Sequence, residues 1–310
     1  MVNPRWLVIG GPTAAGKSAL ALEIAERFGG EIVSADSRQI YRYMDIGTAK
    51  PSLADRRRVR HHLLDVVTPD ERFDVARYRA LARPAVVEIA SRGRLPVVVG
   101  GTGLYIRALA GGLVAAPGAS PRLRHALERA EARAPGTLHR WTRRLDPALA
   151  ERVHANDHVR LLRALEVILV TGRAISAQQR RHGFSDRLGT ILYIVVDPGT
   201  ARLKEQIRYR TVELFERGLV EEVRALRERG YGPELPVMRT IGYLEAGRVL
   251  AGERSVREAT EDLVRSTQRF AKRQRTWFRS ETRARWFHPD EDRSRIVDAV
   301  EQFVATGTAL

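Results

Sequence analysis

Eight residues near the start of the chain, Gly11-Pro12-Thr13-Ala14-Ala15-Gly16-Lys17-Ser18, have the types and spacing needed to hold a phosphate group. The flanking glycines let backbone N–H groups converge on anionic oxygens, and a helix starting at Lys17 would add the positive end of its dipole. Lys17 would neutralise the anion, and the Ser18 hydroxyl could ligate magnesium. A second group, Asp36, is followed directly by Ser37, Arg38, Gln39 and Tyr41. Position alone leaves two readings open for Asp36: a base that takes a proton from an attacking nucleophile, or a cap on the next turn.

These residues need elements to place them. Trp6 to Gly10 is a short run apolar on both faces, as in a buried parallel strand, and Ser18 to Phe28 has helical spacing at Leu20, Leu22, Ile24 and Phe28. The P-loop therefore lies between a strand and a helix. Glu31 to Ser34 reads as a second strand, delivering Asp36 at its end, and Leu95 to Val99 as another, entering Gly100-Gly101-Thr102-Gly103. Strands alternating with helices predict an α/β fold, a P-loop NTPase-like parallel sheet flanked by helices, with ligands at the carboxyl ends of the strands.

After the loop Pro117-Gly118-Ala119-Ser120-Pro121, the stretch Leu123 to Gly172 is helical in pattern. This predicts an all-helical insertion domain over 119–188, within a core made of 1–118 and 189–310. Thr190 to Val196 is β-branched and returns the chain to the sheet. Arg202 to Gly230 reads as one or two helices, and Ser255 to Phe287 as a basic helical segment in which Phe270, Trp277 and Phe278 interleave with arginines.

Composition narrows the partner class. Fifty-three Lys and Arg against 37 Asp and Glu leave a formal charge of +16 over 310 residues, a field that attracts polyanions, nucleic acid above all. Hydrophobic residues at 44% and charged residues at 29% are those of a globular chain. The absence of cysteine excludes disulfides, thiolate metal sites and thiol nucleophiles, and it fits a reducing cytoplasm. No apolar run approaches the roughly 18 to 20 residues of a membrane span. The P-loop lacks the partner of a hydrolytic motor, an apolar strand closing on a magnesium-supporting Asp; His61-His62-Leu63-Leu64-Asp65 is short for that role. Group transfer is the better expectation.

The P-loop, Asp36-Ser37-Arg38-Gln39-Ile40-Tyr41, Asp45-Ile46-Gly47-Thr48-Ala49-Lys50-Pro51 and Gly100-Gly101-Thr102-Gly103-Leu104-Tyr105 together resemble the tRNA dimethylallyltransferases. Asn156-Asp157, Arg160, Arg163-Ala164-Leu165-Glu166-Val167, Thr171-Gly172-Arg173, Ile241-Gly242-Tyr243 and Ala271 to Phe278 continue the resemblance over nearly the whole chain. It implies that the P-loop holds the diphosphate of dimethylallyl diphosphate, with Mg2+ assisting. The acceptor would be N6 of the adenosine 3′ to the anticodon, in tRNAs that read codons beginning with U. By the same resemblance Asp36 is the general base and Thr102 lies near the bridging oxygen of the donor. Lys17, Ser18 and Arg210 serve the phosphates.

The resemblance also implies contact with the tRNA anticodon stem-loop through Asp36, Ser37, Arg38, Gln39, Thr102 and Arg124. It adds Val159, Arg160, Leu161, Leu162 and Arg163, then Met238, Arg239, Thr240, Ile241, Gly242 and Tyr243, and finally Lys272, Arg273 and Arg275. A base stacked in a loop cannot reach a carboxylate at a strand end, so the adenosine would flip into a channel between the sheet and the insertion. The family implies a monomer. Two departures stand out: Gln206 replaces a frequent Arg, and Met238-Arg239-Thr240 replaces a commoner small residue before Ile241. With no Cys/His zinc element after the catalytic region, the chain resembles the bacterial form. Competing expectations are an adenylate isopentenyltransferase acting on free AMP, a small-molecule P-loop kinase, and a non-catalytic RNA-binding module that would leave Asp36 and Thr102 without a role.

Overall fold

A computed structural model describes residues 3–114, 118, 120–183 and 185–308. Two compact units result, Met1–Ala110 with Leu188–Leu310, and Gly111–Arg187. Packing thus starts the helical unit at Gly111, ahead of the expected loop, of which Pro117 and Ala119 lie outside the described residues.

In the larger unit the chain runs β1 (Arg5–Gly10), α1 (Lys17–Arg27), β2 (Gly30–Ser34), α2 (Leu53–Arg58), β3 (His61–His62), α3 (Val75–Ser91), β4 (Leu95–Gly100) and α4 (Gly103–Gly111). The smaller unit carries α5 (Pro121–Arg133), α6 (Thr137–Leu145), α7 (Pro147–Ala150), α8 (His158–Thr171) and α9 (Ile175–His182). The chain then re-enters the sheet with β5 (Thr190–Val196). There follow α10 (Thr200–Glu216), α11 (Leu219–Glu228), a 3-10 turn Pro236–Arg239, α12 (Tyr243–Leu250), α13 (Val256–Arg279), β6 (Arg285–Phe287) and α14 (Arg293–Thr306).

The six strands form one parallel sheet in the order β3-β2-β4-β1-β5-β6. The expected parallel α/β sheet is thus observed. Strand periodicity divides its core: Leu7 and Ile9, Val97 and Val99, and Leu192 and Ile194 pack on one face with α1 and α14. Trp6 and Val8, Val98, and Tyr193 and Val195 pack on the other with α3 and α4. Each fully buried aliphatic side chain of this kind contributes roughly 1.5–3 kcal/mol. A third cluster, separate from the sheet, gathers Ile40, Met44, Val67, Leu219, Val223, Met238 and Tyr243 around the loop that follows β2.

One expectation is corrected and another holds. The basic helical pattern to Phe287 stops at Arg279; Arg285–Phe287 is an edge strand beside β5, and Phe287 turns into the core. His61 to Asp65 forms only a two-residue strand, because Leu63 and Asp65 take left-handed backbone that cannot continue a strand. The smaller unit is closed by Leu127, Leu138, Leu149, Leu161 and Leu165. There the buried Asp146 caps α7 and accepts the Ser176 N–H at 2.9 Å, tying α7 to α9. Among the described residues no helix is long and apolar enough to cross a membrane.

Candidate active site

Sheet register brings three loops to one edge. Gly10 pairs with Gly100 and Ser34 with Val99, so the chain leaves β1, β2 and β4 side by side, carrying the P-loop, Asp36 and Thr102. In the P-loop Ala14 (φ 63°) and Gly16 (φ 81°) adopt left-handed backbone, curling the chain into α1. No side chain caps the N-terminus of α1, so its first N–H groups are free for an anion. Pro12 and Ala15 are buried supports of this curl, and Ser18 is exposed at its mouth.

Two cations converge on the loop. Lys17 Nζ donates to the Pro12 carbonyl at 2.6 Å. Burial, with help from the neighbouring Arg210 and against the pull of Asp36, lowers the Lys17 ammonium to about 7. Arg210, from α10, donates to Thr13 Oγ1 at 3.4 Å and is likewise shifted down by burial. The site is thus short of negative charge.

Asp36 uses one oxygen for structure. Its Oδ1 accepts the Arg38 N–H at 2.8 Å, closing a tight turn, and no hydrogen bond from the described residues reaches Oδ2. Both readings of this residue are therefore compatible, one per oxygen. Thr102 Oγ1 accepts the Ser37 N–H at 3.1 Å and Thr102 N–H donates to the Ala35 carbonyl at 3.2 Å, so the ends of β2 and β4 are fixed to each other.

Two cavities meet here. One, about 760 Å³, is lined by Thr13, Lys17, Ser18, Gln39 and Lys50. The other, about 400 Å³, is lined by Ser37, Arg38, Gly47, Thr102, Arg239 to Tyr243 and Arg273. Thr13, Asp36, Thr48, Arg210, Phe270 and Gln274 line both. Asp36 thus lies where a phosphate-bearing ligand in the first cavity and a second ligand in the other would touch.

Gln274, marked in the sequence only as part of the motif Ala271 to Phe278, has a role of its own. Buried on α13, it accepts the Thr13 N–H at 2.8 Å and donates to the Gly101 carbonyl at 2.9 Å, bridging the P-loop to the β4 loop. One amide with a donor and an acceptor end is what such a bridge requires. Its only local signal was an amide in a basic helical run that also holds Gln268 and Thr276. Phe278 is fully buried in the core, while Trp277 lies under the Arg107 guanidinium at 4.3 Å.

Several expected RNA-facing side chains are turned elsewhere. Leu161 and Leu162 are buried in the core of the smaller unit, because α8 directs its apolar stripe inward. Met238 and Tyr243 are buried in the third cluster. Gln39 is taken by loop structure: its Nε2 donates to the Thr48 and Ala49 carbonyls, and its Oε1 accepts from Ser34. Arg275 is held by Asp197 at 2.7 Å and Thr200 at 2.7 Å. Arg124 and Arg163 both pair with the buried Glu166. Val159 is exposed, as is Arg160, which reaches Asp157 at 3.4 Å. Arg239 donates to the Pro233 carbonyl, and Thr240 to that of Val237, shaping the turn that lines the second cavity with Ile241 and Gly242. Arg273 lies over Phe270 at 5.7 Å on its rim. Gln206 leaves its Oε1 buried and, among the described residues, without a partner.

On the face of α13 turned away from these cavities, a groove of about 670 Å³ with α10 is lined by Lys204, Arg265, Arg269, Lys272, Arg275 and Arg279 and by no acid. Lys204, Lys272 and Arg279 make no ion pair among the described residues.

The model of the IPP transferase family matches residues 39–281. The tRNA dimethylallyltransferase of Geobacter metallireducens is 48% identical over 283 residues, covering 91% of this chain and 92% of its own. The tRNA dimethylallyltransferase 1 of Citrifermentans bemidjiense is 47% identical over 300 residues, covering 96% and 97%. Among solved structures, the full-length tRNA isopentenylpyrophosphate transferase of Bacillus halodurans aligns over 98% of this chain and 96% of its own, with TM-score 0.70 and 35% identity. A eukaryotic dimethylallyltransferase acting on tRNA aligns over 97% and 80%, with TM-score 0.82 and 25% identity. The chain belongs to the IPP transferase family.

Proposed function

We propose that this protein is a tRNA dimethylallyltransferase that moves the prenyl group of dimethylallyl diphosphate to N6 of the adenosine 3′ to the anticodon, in tRNAs reading codons that begin with U. The observation that carries the reading is the shared border of the two cavities at Thr13, Asp36 and Arg210. The donor diphosphate occupies the P-loop, where the free N–H groups of α1, Lys17 and Arg210 are strongest when the most negative species, the departing diphosphate, is present. As the N6 lone pair attacks, the C–O bond to diphosphate breaks and the C–N bond forms. The N6 proton passes to Asp36 Oδ2, whose partner oxygen is fixed by Arg38 N–H. Thr102 Oγ1 accepts from Ser37, so its own proton is free to donate to the bridging oxygen of the donor.

Magnesium fits a sparse donor set. Among the described residues no group of three or more carboxylates or imidazoles could hold a metal, and Mg2+ usually keeps several waters and takes phosphate oxygens. The exposed Ser18 hydroxyl would be its protein ligand, and when bound it would offset charge on the diphosphate. On the acceptor side Arg38, Arg239 and Arg273 would meet RNA phosphates, with the basic groove behind α13 extending that field. A tRNA substrate carries with it a cytoplasmic site of action, and a monomer is the proposed form.

Incubating the protein with labelled dimethylallyl diphosphate, magnesium and unmodified tRNA, beside tubes with AMP or no acceptor, tests this reading. Label in tRNA alone is expected. Label in AMP would make the protein an adenylate prenyltransferase, and no label would return it to kinases or bare RNA binders.

A further inference from the structure

The second cavity has two walls from distant parts of the chain. One is the loop after β2, which supplies Ser37, Arg38, Gly47 and Thr48; the other is Arg239 to Tyr243. The loop has little regular structure, and Tyr43 (φ 66°) and Ala49 (φ 45°) sit in left-handed backbone that non-glycine residues adopt only when their surroundings hold them there. Something must therefore hold it.

That support is one carboxylate on α11. Glu222 Oε2 accepts the N–H groups of Asp45 at 2.8 Å and Ile46 at 2.7 Å, and Oε1 accepts that of Gly47 at 3.0 Å. Oε1 also accepts the Tyr243 hydroxyl at 2.7 Å. Four donors satisfy the carboxylate, and no cation pairs with it among the described residues. Its place in the first turn of α11 adds the favourable end of the helix dipole. Tyr243 is buried beside this charge, and both effects push its phenol well above its usual range, so it remains a donor. Gly47 completes the lock, since a Cβ there would stand 2.6 Å from the Tyr243 ring.

We infer that Glu222, which lines neither cavity, is a positioning residue that sets the separation of the two walls of the acceptor cavity. This rests on the reading of that cavity as the place where the adenosine enters. One side chain fixes both walls at once: the Asp45–Gly47 turn by three N–H bonds, and the start of α12 through Tyr243. The P-loop side has its own bridge in Gln274, and among the described residues no hydrogen bond joins it to Glu222. Because Thr48 to Lys50 of the held loop also line the first cavity, loss of Glu222 should damage acceptor use most and donor binding much less.

The test compares Glu222→Gln and Tyr243→Phe with wild type in the full chain, reading donor affinity by calorimetry, kcat and KM for unmodified tRNA, and melting temperature. Glu222→Gln turns an amide donor toward a cluster of donors; a rise in tRNA KM of about tenfold or more, with a fall in kcat, is expected from losing charge-assisted bonds. Its donor affinity should stay within about twofold of wild type. Tyr243→Phe, which removes one hydroxyl, should move tRNA KM the same way by a few-fold, and the double variant should be no worse than Glu222→Gln alone, because both act through one contact. If Glu222→Gln fails to fold, Tyr243→Phe alone carries the test. Equal proportional losses of donor affinity and tRNA turnover, or variants that match wild type, would overturn the inference. A wild type that transfers no prenyl group to tRNA would instead overturn the reading on which it rests.

Discussion

The two sides of the active site are built differently. The donor side is local: β1, eight loop residues and the start of α1 follow one another in sequence, and their backbone supplies the anion site. The acceptor side is assembled from Ser37 to Thr48, Arg239 to Tyr243 and α13, brought together by side chains reaching across the fold. The lesson is energetic. A contiguous anion site depends on backbone curvature and helix polarity, whereas the acceptor wall depends on a few bonds such as those of Glu222, each worth roughly 1.5–3 kcal/mol when charge-assisted.

Lys17→Met should break the donor side most severely. Removing the ammonium is expected to weaken dimethylallyl diphosphate binding by about 10- to 100-fold, the range of one charged hydrogen bond, with tRNA affinity unchanged in filter binding. The pH dependence of donor affinity sharpens the same point. Lys17 is lowered to about 7 in the free protein and must be protonated to serve a diphosphate, whose presence raises it again. Affinity is therefore full below about 7 and should fall as pH rises above it, by up to about tenfold per unit, until the raised value of the complex is reached. Calorimetry across that range should show this slope for wild type and none for Lys17→Met.

Gln274→Ala should affect both sides at once. It frees the Thr13 N–H and the Gly101 carbonyl together, and kcat should fall by about tenfold, as for two lost neutral bonds, without a change in which acceptor is used. The mildest expected change is at Lys272 in the basic groove. Lys272→Ala should weaken tRNA binding slightly at low salt and reduce the salt slope of log affinity by about one. An unchanged slope would make the groove a solvated helix face.

What could be read in the sequence follows the same division. The P-loop and its strand were legible because their pattern is contiguous, and Thr190 to Val196 because β-branched residues of a buried strand leave little choice. Asp36 was legible as a position, and its Oδ1 caps the following turn while Oδ2 is left for the proposed base. The roles of Glu222 and Gln274 were not legible, since neither has a local pattern: the backbone partners of Glu222 lie 175–177 residues away and Tyr243 21, and the partners of Gln274 lie 173 and 261 away. Resemblance carried Leu161, Leu162 and Gln39 toward RNA as members of a stretch, while the helix face or loop bonding of each side chain points it inward. Strand β6 was missed because three residues on a sheet edge show too short an alternation to separate from the helix before it.

In the proposed reaction Asp36 serves both cavities as a base and is not needed to fill either. Single-turnover transfer from labelled donor to tRNA by Asp36→Asn, with donor and tRNA affinities measured in parallel, tests it most directly. Both affinities should stay near wild type while the transfer rate falls by about 10²- to 10⁴-fold, the usual loss of a general base. Transfer at the wild-type rate, or loss of donor binding sufficient to explain the defect, would contradict it.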